Sequence, residues 1–134
     1  MTSGAGVQPH VVVPEGFNSQ VLVSRDALLN PRGDRFGDDN DFICLLQRTE
    51  REGWLWVNHE STDVFLIEQA PVPAHRVNKA LIAKYLEAMG GSCIRVTRSD
   101  SGRWRPVLPD PKNFRLSGMT PGIEFTGPAR GSSQ

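Results

Sequence analysis

The sequence predicts a mainly β fold with one amphipathic helix. Three observations carry this: two pairs of short apolar runs separated by turn-forming residues, a single stretch with three- and four-residue apolar spacing, and glycine or proline at each junction between them. The first pair is Phe42 to Gln47 and Trp54 to Asn58, joined by Thr49-Glu50-Arg51-Glu52-Gly53 as a hairpin would be. A strand period of two places Trp54, Trp56 and Asn58 on one face and Leu55 and Val57 on the other, so both faces can be buried, as in an interior strand. Val77, Leu81, Ile82, Tyr85, Leu86 and Met89 recur at helical spacing, which predicts a helix over His75 to Met89 stopped by Gly90-Gly91. Cys93 to Arg98 and Arg103 to Val107 flank Ser99-Asp100-Ser101-Gly102 and predict a second hairpin, ended by the proline-rich Pro106 to Pro111.

Two further short strands are expected, one over Asn18 to Ser24 after the Pro14-Glu15-Gly16 turn and one over Ile123 to Thr126. Asn30-Pro31-Arg32-Gly33-Asp34 forces a loop. The expected organisation is a flexible leader over 1–12, one domain over 13–130 and a flexible tail over 131–134. At 134 residues and 38% hydrophobic content, a single compact domain with its own core is the default.

The 15 basic and 15 acidic residues cancel, so net charge gives no reason to expect nucleic acid or an anionic membrane as partner. Arg25, Arg32 and Arg35 lie among Asp26, Asp34, Asp38, Asp39 and Asp41, the pattern of a solvated loop. No apolar run is long enough to span a membrane, and the first residues lack a basic segment followed by an apolar one, so no export signal is visible. Cys44 and Cys93 lack the paired spacing of a zinc site and read as buried small hydrophobes, with a bridge between them left open.

Candidate chemistry concentrates where the Trp54 strand ends in Asn58-His59-Glu60. Glu60 supplies the oxygen ligand that calcium and ferric iron favour. Asn58 offers an amide to a metal or a phosphate oxygen, and His59 either ligates iron or orients its neighbour. Solvated turn residues are the plainer reading of the same triplet. Asp38, Asp39, Asn40 and Asp41 have the composition of a calcium loop but not its spacing, and also read as a capped turn leading into the Phe42 strand. His75, Lys79, Lys84 and Tyr85 read as decoration of the helix. A nucleophile elbow, a phosphate-cradling glycine loop and a His-Glu-x-x-His pair are all missing from the sequence.

In order along the chain, Val13-Pro14-Glu15-Gly16-Phe17, Gly37-Asp38-Asp39-Asn40-Asp41-Phe42, Asn58-His59-Glu60, Gly91-Ser92-Cys93-Ile94-Arg95-Val96, Gly102-Arg103-Trp104, Asn113 with Arg115, Thr120-Pro121 and Gly127-Pro128-Ala129 resemble the amino-terminal part of the PhoX-type alkaline phosphatases. Phe114 departs from an arginine pair in that family's pattern, which weakens Asn113 and Arg115 as phosphate-binding candidates. The resemblance implies a six-bladed β-propeller that hydrolyses phosphomonoesters with calcium and iron and is typically exported. It implies Glu60 as metal ligand, with Asn58 and His59 in support. This chain would supply roughly three blades at most, the amino-terminal part of a propeller whose remaining blades are missing. The family segments carrying further metal ligands are expected just after Gly127-Pro128-Ala129, so the chain alone is expected to be inactive and to expose apolar surface. The alternative is a small non-catalytic β-rich binding or interaction module.

Overall fold

The structure, a computed structural model, describes residues 11–60, 67–68, 70–124 and 126–131. Its centre is a five-stranded antiparallel sheet made of β1 (Asn40–Gln47), β2 (Glu52–His59), β3 (Gly90–Arg98), β4 (Trp104–Pro106) and β5 (Phe114–Ser117). Strand β2 lies between β1 and β3, with Cys44 opposite Trp56 and Trp56 opposite Cys93. On the far side of β3, β4 pairs with its last residues and β5 with its first, so two short strands share one long edge. Both expected hairpins are present, and β2 is the interior strand that its two apolar faces require.

One face of the sheet is the core. Leu55 and Val57 of β2 and Ile94 and Val96 of β3 are buried there against Leu29 and Phe36, which come from the segment preceding β1. Burying one such side chain contributes about 1.5 to 3 kcal/mol, so these six dominate the stability of the fold. The opposite face, with Trp54, Trp56, Cys93 and Arg95, stays partly exposed.

Four sequence expectations need correction. Asn18 to Ser24 is not a strand: Leu22 and Val23 lie on the core, and the Gln20 amide donates to the Trp104 carbonyl, so the segment crosses the sheet face instead of joining an edge. The helix α1 is shorter than expected, Lys79–Ala88, because the Asn78 side chain accepts from the Leu81 amide and fixes the first turn there; His75 belongs to a separate 3-10 turn, Ala74–Arg76. Ile123, Glu124 and Thr126 are not in a strand, and Phe125 lies outside the described residues. The two cysteines are partly exposed free thiols. With Trp56 between them across two strand spacings, their Cα atoms stand about 10 Å apart, beyond the reach of a disulfide. Most of the expected leader and tail, residues 1–10 and 132–134, lies outside the described residues.

The strand absent from the sequence reading is β5. It is only four residues long and sits beside Asn113, which closes the gap that β4 and β5 leave on the β3 edge. The Asn113 carbonyl oxygen of the side chain accepts from the Arg95 amide at 2.8 Å, and its amide donates to the Val107 and Leu29 carbonyls at 2.8 and 2.9 Å. Asn30 completes the arrangement by donating to the Asn113 backbone carbonyl and the Asp34 carboxylate while accepting from the Arg32 and Asp34 amides. Both asparagines are fully buried with their side-chain groups satisfied, as buried amides must be.

Candidate functional site

The carboxy-terminal end of β2 separates the Asn58-His59-Glu60 triplet by face. Asn58 and Glu60 continue the row of Trp54 and Trp56, whereas His59 points into the core with 1% exposure. In the outward row the Trp56 indole donates to Asn58 Oδ1 at 2.7 Å, and Asn58 Nδ2 donates to Glu60 Oε1 at 3.1 Å. Gly91, opposite Asn58 on β3, lets the Trp56 ring lie against it; a Cβ there would come within 2.3 Å of the ring. The tryptophan therefore fixes the amide orientation, and the amide holds the carboxylate. Glu60 is exposed, its backbone amide donates to the Asp39 carbonyl, and among the described residues its second oxygen has no partner.

His59 occupies a different environment. Its Nδ1 lies 2.8 Å from Asn40 Oδ1 and 3.2 Å from the Asp38 carbonyl oxygen, both acceptors, so Nδ1 carries the proton. Nε2 then accepts from the Ser92 hydroxyl at 2.7 Å, and Phe36 meets the ring edge-on at 4.9 Å. With both nitrogens occupied inside the protein, the imidazole ties the loop before β1 to β2 and β3. Burial first, and then the nearby Arg115 guanidinium, hold its pKa below the usual 6.5. The unfolded chain thus binds a proton more readily than the folded one, so stability rises with pH through this window and is lost as pH falls below about 6.5. The expected dependence is at most about 1.4 kcal/mol per pH unit, and denaturant titrations should show that slope flattened in His59→Gln.

The acidic run diverges. Asp38 pairs with Arg25 at 3.1 Å, Asp39 adopts φ +48° at the turn, Asn40 is held by His59, and Asp41 is exposed on β1. Among the described residues no three His, Cys, Asp or Glu side chains converge as a metal site. The described residues therefore do not by themselves fit a metal cluster; among them Glu60 furnishes one oriented carboxylate.

Asn113 is buried 83 residues along the chain from its partner Asn30, with no donor left for phosphate. Arg115 donates to the Glu87 and Ala88 carbonyls at 2.7 and 3.0 Å, capping the carboxy-terminal end of α1, where a cation suits the helix dipole. Among the described residues its Nε is buried without a partner. Arg115 lines a cleft of about 190 Å³ with Arg25, Asp26 and Asp38, in which two cations face two anions. Sequence reasoning missed Trp56 as the positioning group for Asn58 and Glu60, although the period of two that places all three on one face was visible in the sequence.

A mainly β antiparallel sheet with one helix, bearing a carboxylate held at a strand end, defines the class to which the chain is comparable. The family model for alkaline phosphatase PhoX matches residues 2–134, and the chain belongs to that family. It is similar to the solved structure of Pseudomonas fluorescens PhoX in complex with vanadate, a transition state analogue, at 25% sequence identity and a TM-score of 0.64. The match covers 79% of this chain and 21% of that one, so the chain spans about a fifth of the length of its solved relative. No curated protein matches it.

Proposed function

We propose that these residues form the amino-terminal part of a PhoX-type, metal-dependent phosphomonoester hydrolase built as a β-propeller. The observation that carries this reading is the family match over residues 2–134 together with the Trp56–Asn58–Glu60 row, which presents one fixed carboxylate at a strand end. The vanadate bound by the solved relative resembles the five-coordinate phosphorus of phosphoryl transfer, which fits a phosphate ester as substrate. Calcium and iron would supply charge neutralisation at phosphorus when bound. In this reading Glu60 gives one oxygen ligand, Asn58 restrains it, and His59 and Asn113 hold the scaffold. The partly exposed face bearing Trp54 and Trp56 suits packing against further blades.

Hydrolysis of a chromogenic phosphate monoester tests the proposal. With calcium and iron supplied, a full-length family member carrying these residues is expected to turn the ester over. The 134-residue chain is expected not to, because among the described residues no three ligands converge and one carboxylate cannot assemble a cluster. Turnover by the purified chain that vanishes in Glu60→Ala would show instead that the site is complete within these residues.

A further inference from the structure

We infer that Asn40 is a positioning residue for Glu60, acting through the His59 imidazole. The β1–β2 ladder loses its regular step just before Glu60. Ile43 faces Val57 and Asn40 faces His59, so β1 takes three steps where β2 takes two. Such a bulge disrupts the ladder locally, and the Glu60 amide finds its acceptor beyond it, the Asp39 carbonyl at 3.0 Å. Asp39 itself stands at φ +48°, a conformation that costs energy for a residue with a Cβ and persists only where the surroundings hold it.

One N–H holds both neighbours of Asp39. His59 Nδ1 reaches Asn40 Oδ1 at 2.8 Å on one side and the Asp38 carbonyl at 3.2 Å on the other. The ring that does this is fixed. The Ser92 hydroxyl, buried on β3, donates to Nε2 at 2.7 Å and keeps the proton on Nδ1. Gly37 lets the loop pass close against the ring: a Cβ there would stand 2.8 Å from His59 Cγ. Side-chain bonds from a buried imidazole therefore do what the ladder cannot do at the bulge, and Asn40 supplies the shorter of them from an exposed position. Without its oxygen, Asp39 is gripped from the Asp38 side alone and its carbonyl can turn away from the Glu60 amide. Asn58 still holds the Glu60 side chain, so the carboxylate shifts with its main chain. The bearing of this hold on turnover rests on the proposed phosphatase role of Glu60; the hold itself does not.

Hydrogen exchange resolved to single amides, in a full-length family member carrying these residues, reads the hold directly. Asn40→Ala, at an exposed position and so compatible with the fold, is expected to speed exchange at the Glu60 amide by at least about fivefold while the β2–β3 ladder keeps its rates. Asn40→Asp keeps an oxygen for the same N–H and should restore the parent rate. In turnover of a phosphate monoester, Asn40→Ala should lower kcat by at least about tenfold with KM within about twofold, and Asn40→Asp should recover it. Unchanged exchange at Glu60 in Asn40→Ala, or acceleration shared by the whole β2–β3 ladder, would overturn the inference. So would failure of Asn40→Asp to restore the rate, or parent kcat in Asn40→Ala beside a Glu60→Gln enzyme that has lost turnover. Undiminished turnover in Glu60→Gln would instead overturn the phosphatase role of Glu60, and the hold by Asn40 would then be decided by exchange alone.

Discussion

Asn113→Ala is expected to lower the unfolding free energy by at least about 2 kcal/mol, measured as a shift in the urea midpoint at constant slope. The side chain is 0% exposed and answers three backbone groups: the Arg95 amide and the Leu29 and Val107 carbonyls. Truncation leaves the Arg95 amide and the Val107 carbonyl without partners in a site too enclosed for ready solvation, while the Leu29 carbonyl keeps the Asp110 amide as donor, and each orphaned group costs about 1 to 3 kcal/mol. The loss also removes one of the two hydrogen bonds that the carbonyl of Leu29, a core residue, accepts. Asn113→Asp should not rescue it, because the carboxylate keeps the acceptor, loses both donors and adds a buried charge. Against a typical domain stability of about 5 to 15 kcal/mol, the alanine variant would be marginal. A midpoint within error of the parent would show that the gap between β4 and β5 closes by other means.

Gly90→Ala is the second large effect expected, about 2 to 5 kcal/mol, from two additive sources. Gly90 opens β3 at φ +137°, a region that residues with a Cβ rarely adopt. A Cβ there would also stand 2.0 Å from the Leu116 carbonyl oxygen, which belongs to the backbone of β5 and cannot swing aside. The β3–β5 pairing should open first, so amide exchange at Leu116 and Ser117 is expected to accelerate before global unfolding does. Unchanged protection there would contradict the close approach of the two strands.

The parts of the fold legible in the sequence are those fixed by local patterns. Trp54 to Asn58 alternates cleanly, and the turn residues on either side of it set the hairpin with Phe42 to Gln47. The Ser99 to Gly102 turn does the same for β3 and β4. What local pattern could not supply depends on distant partners. Asn18 to Ser24 alternates like a strand yet finds the core face before it finds an edge. Strand β5 follows Asn113, which is anchored to residues far away in the chain, and Asn30 carries no sign in the sequence that it will meet Asn113. At the candidate site the motif grouped Asn58, His59 and Glu60, while strand geometry divides them: alternate residues share a face, so His59 becomes an internal tie and Asn58 with Glu60 an outward row.

The most direct test of the proposed role is Glu60→Gln in a full-length family member carrying these residues, with metal content, phosphomonoester turnover and thermal unfolding measured on the same preparation. The substitution keeps the size of the side chain and leaves the Trp56–Asn58 contact in place while removing the carboxylate charge. Metal content and turnover are expected to fall together by at least about tenfold with the unfolding temperature unchanged. Full metal occupancy with undiminished hydrolysis would contradict the assignment and leave the Trp56–Asn58–Glu60 row as a structural strand end.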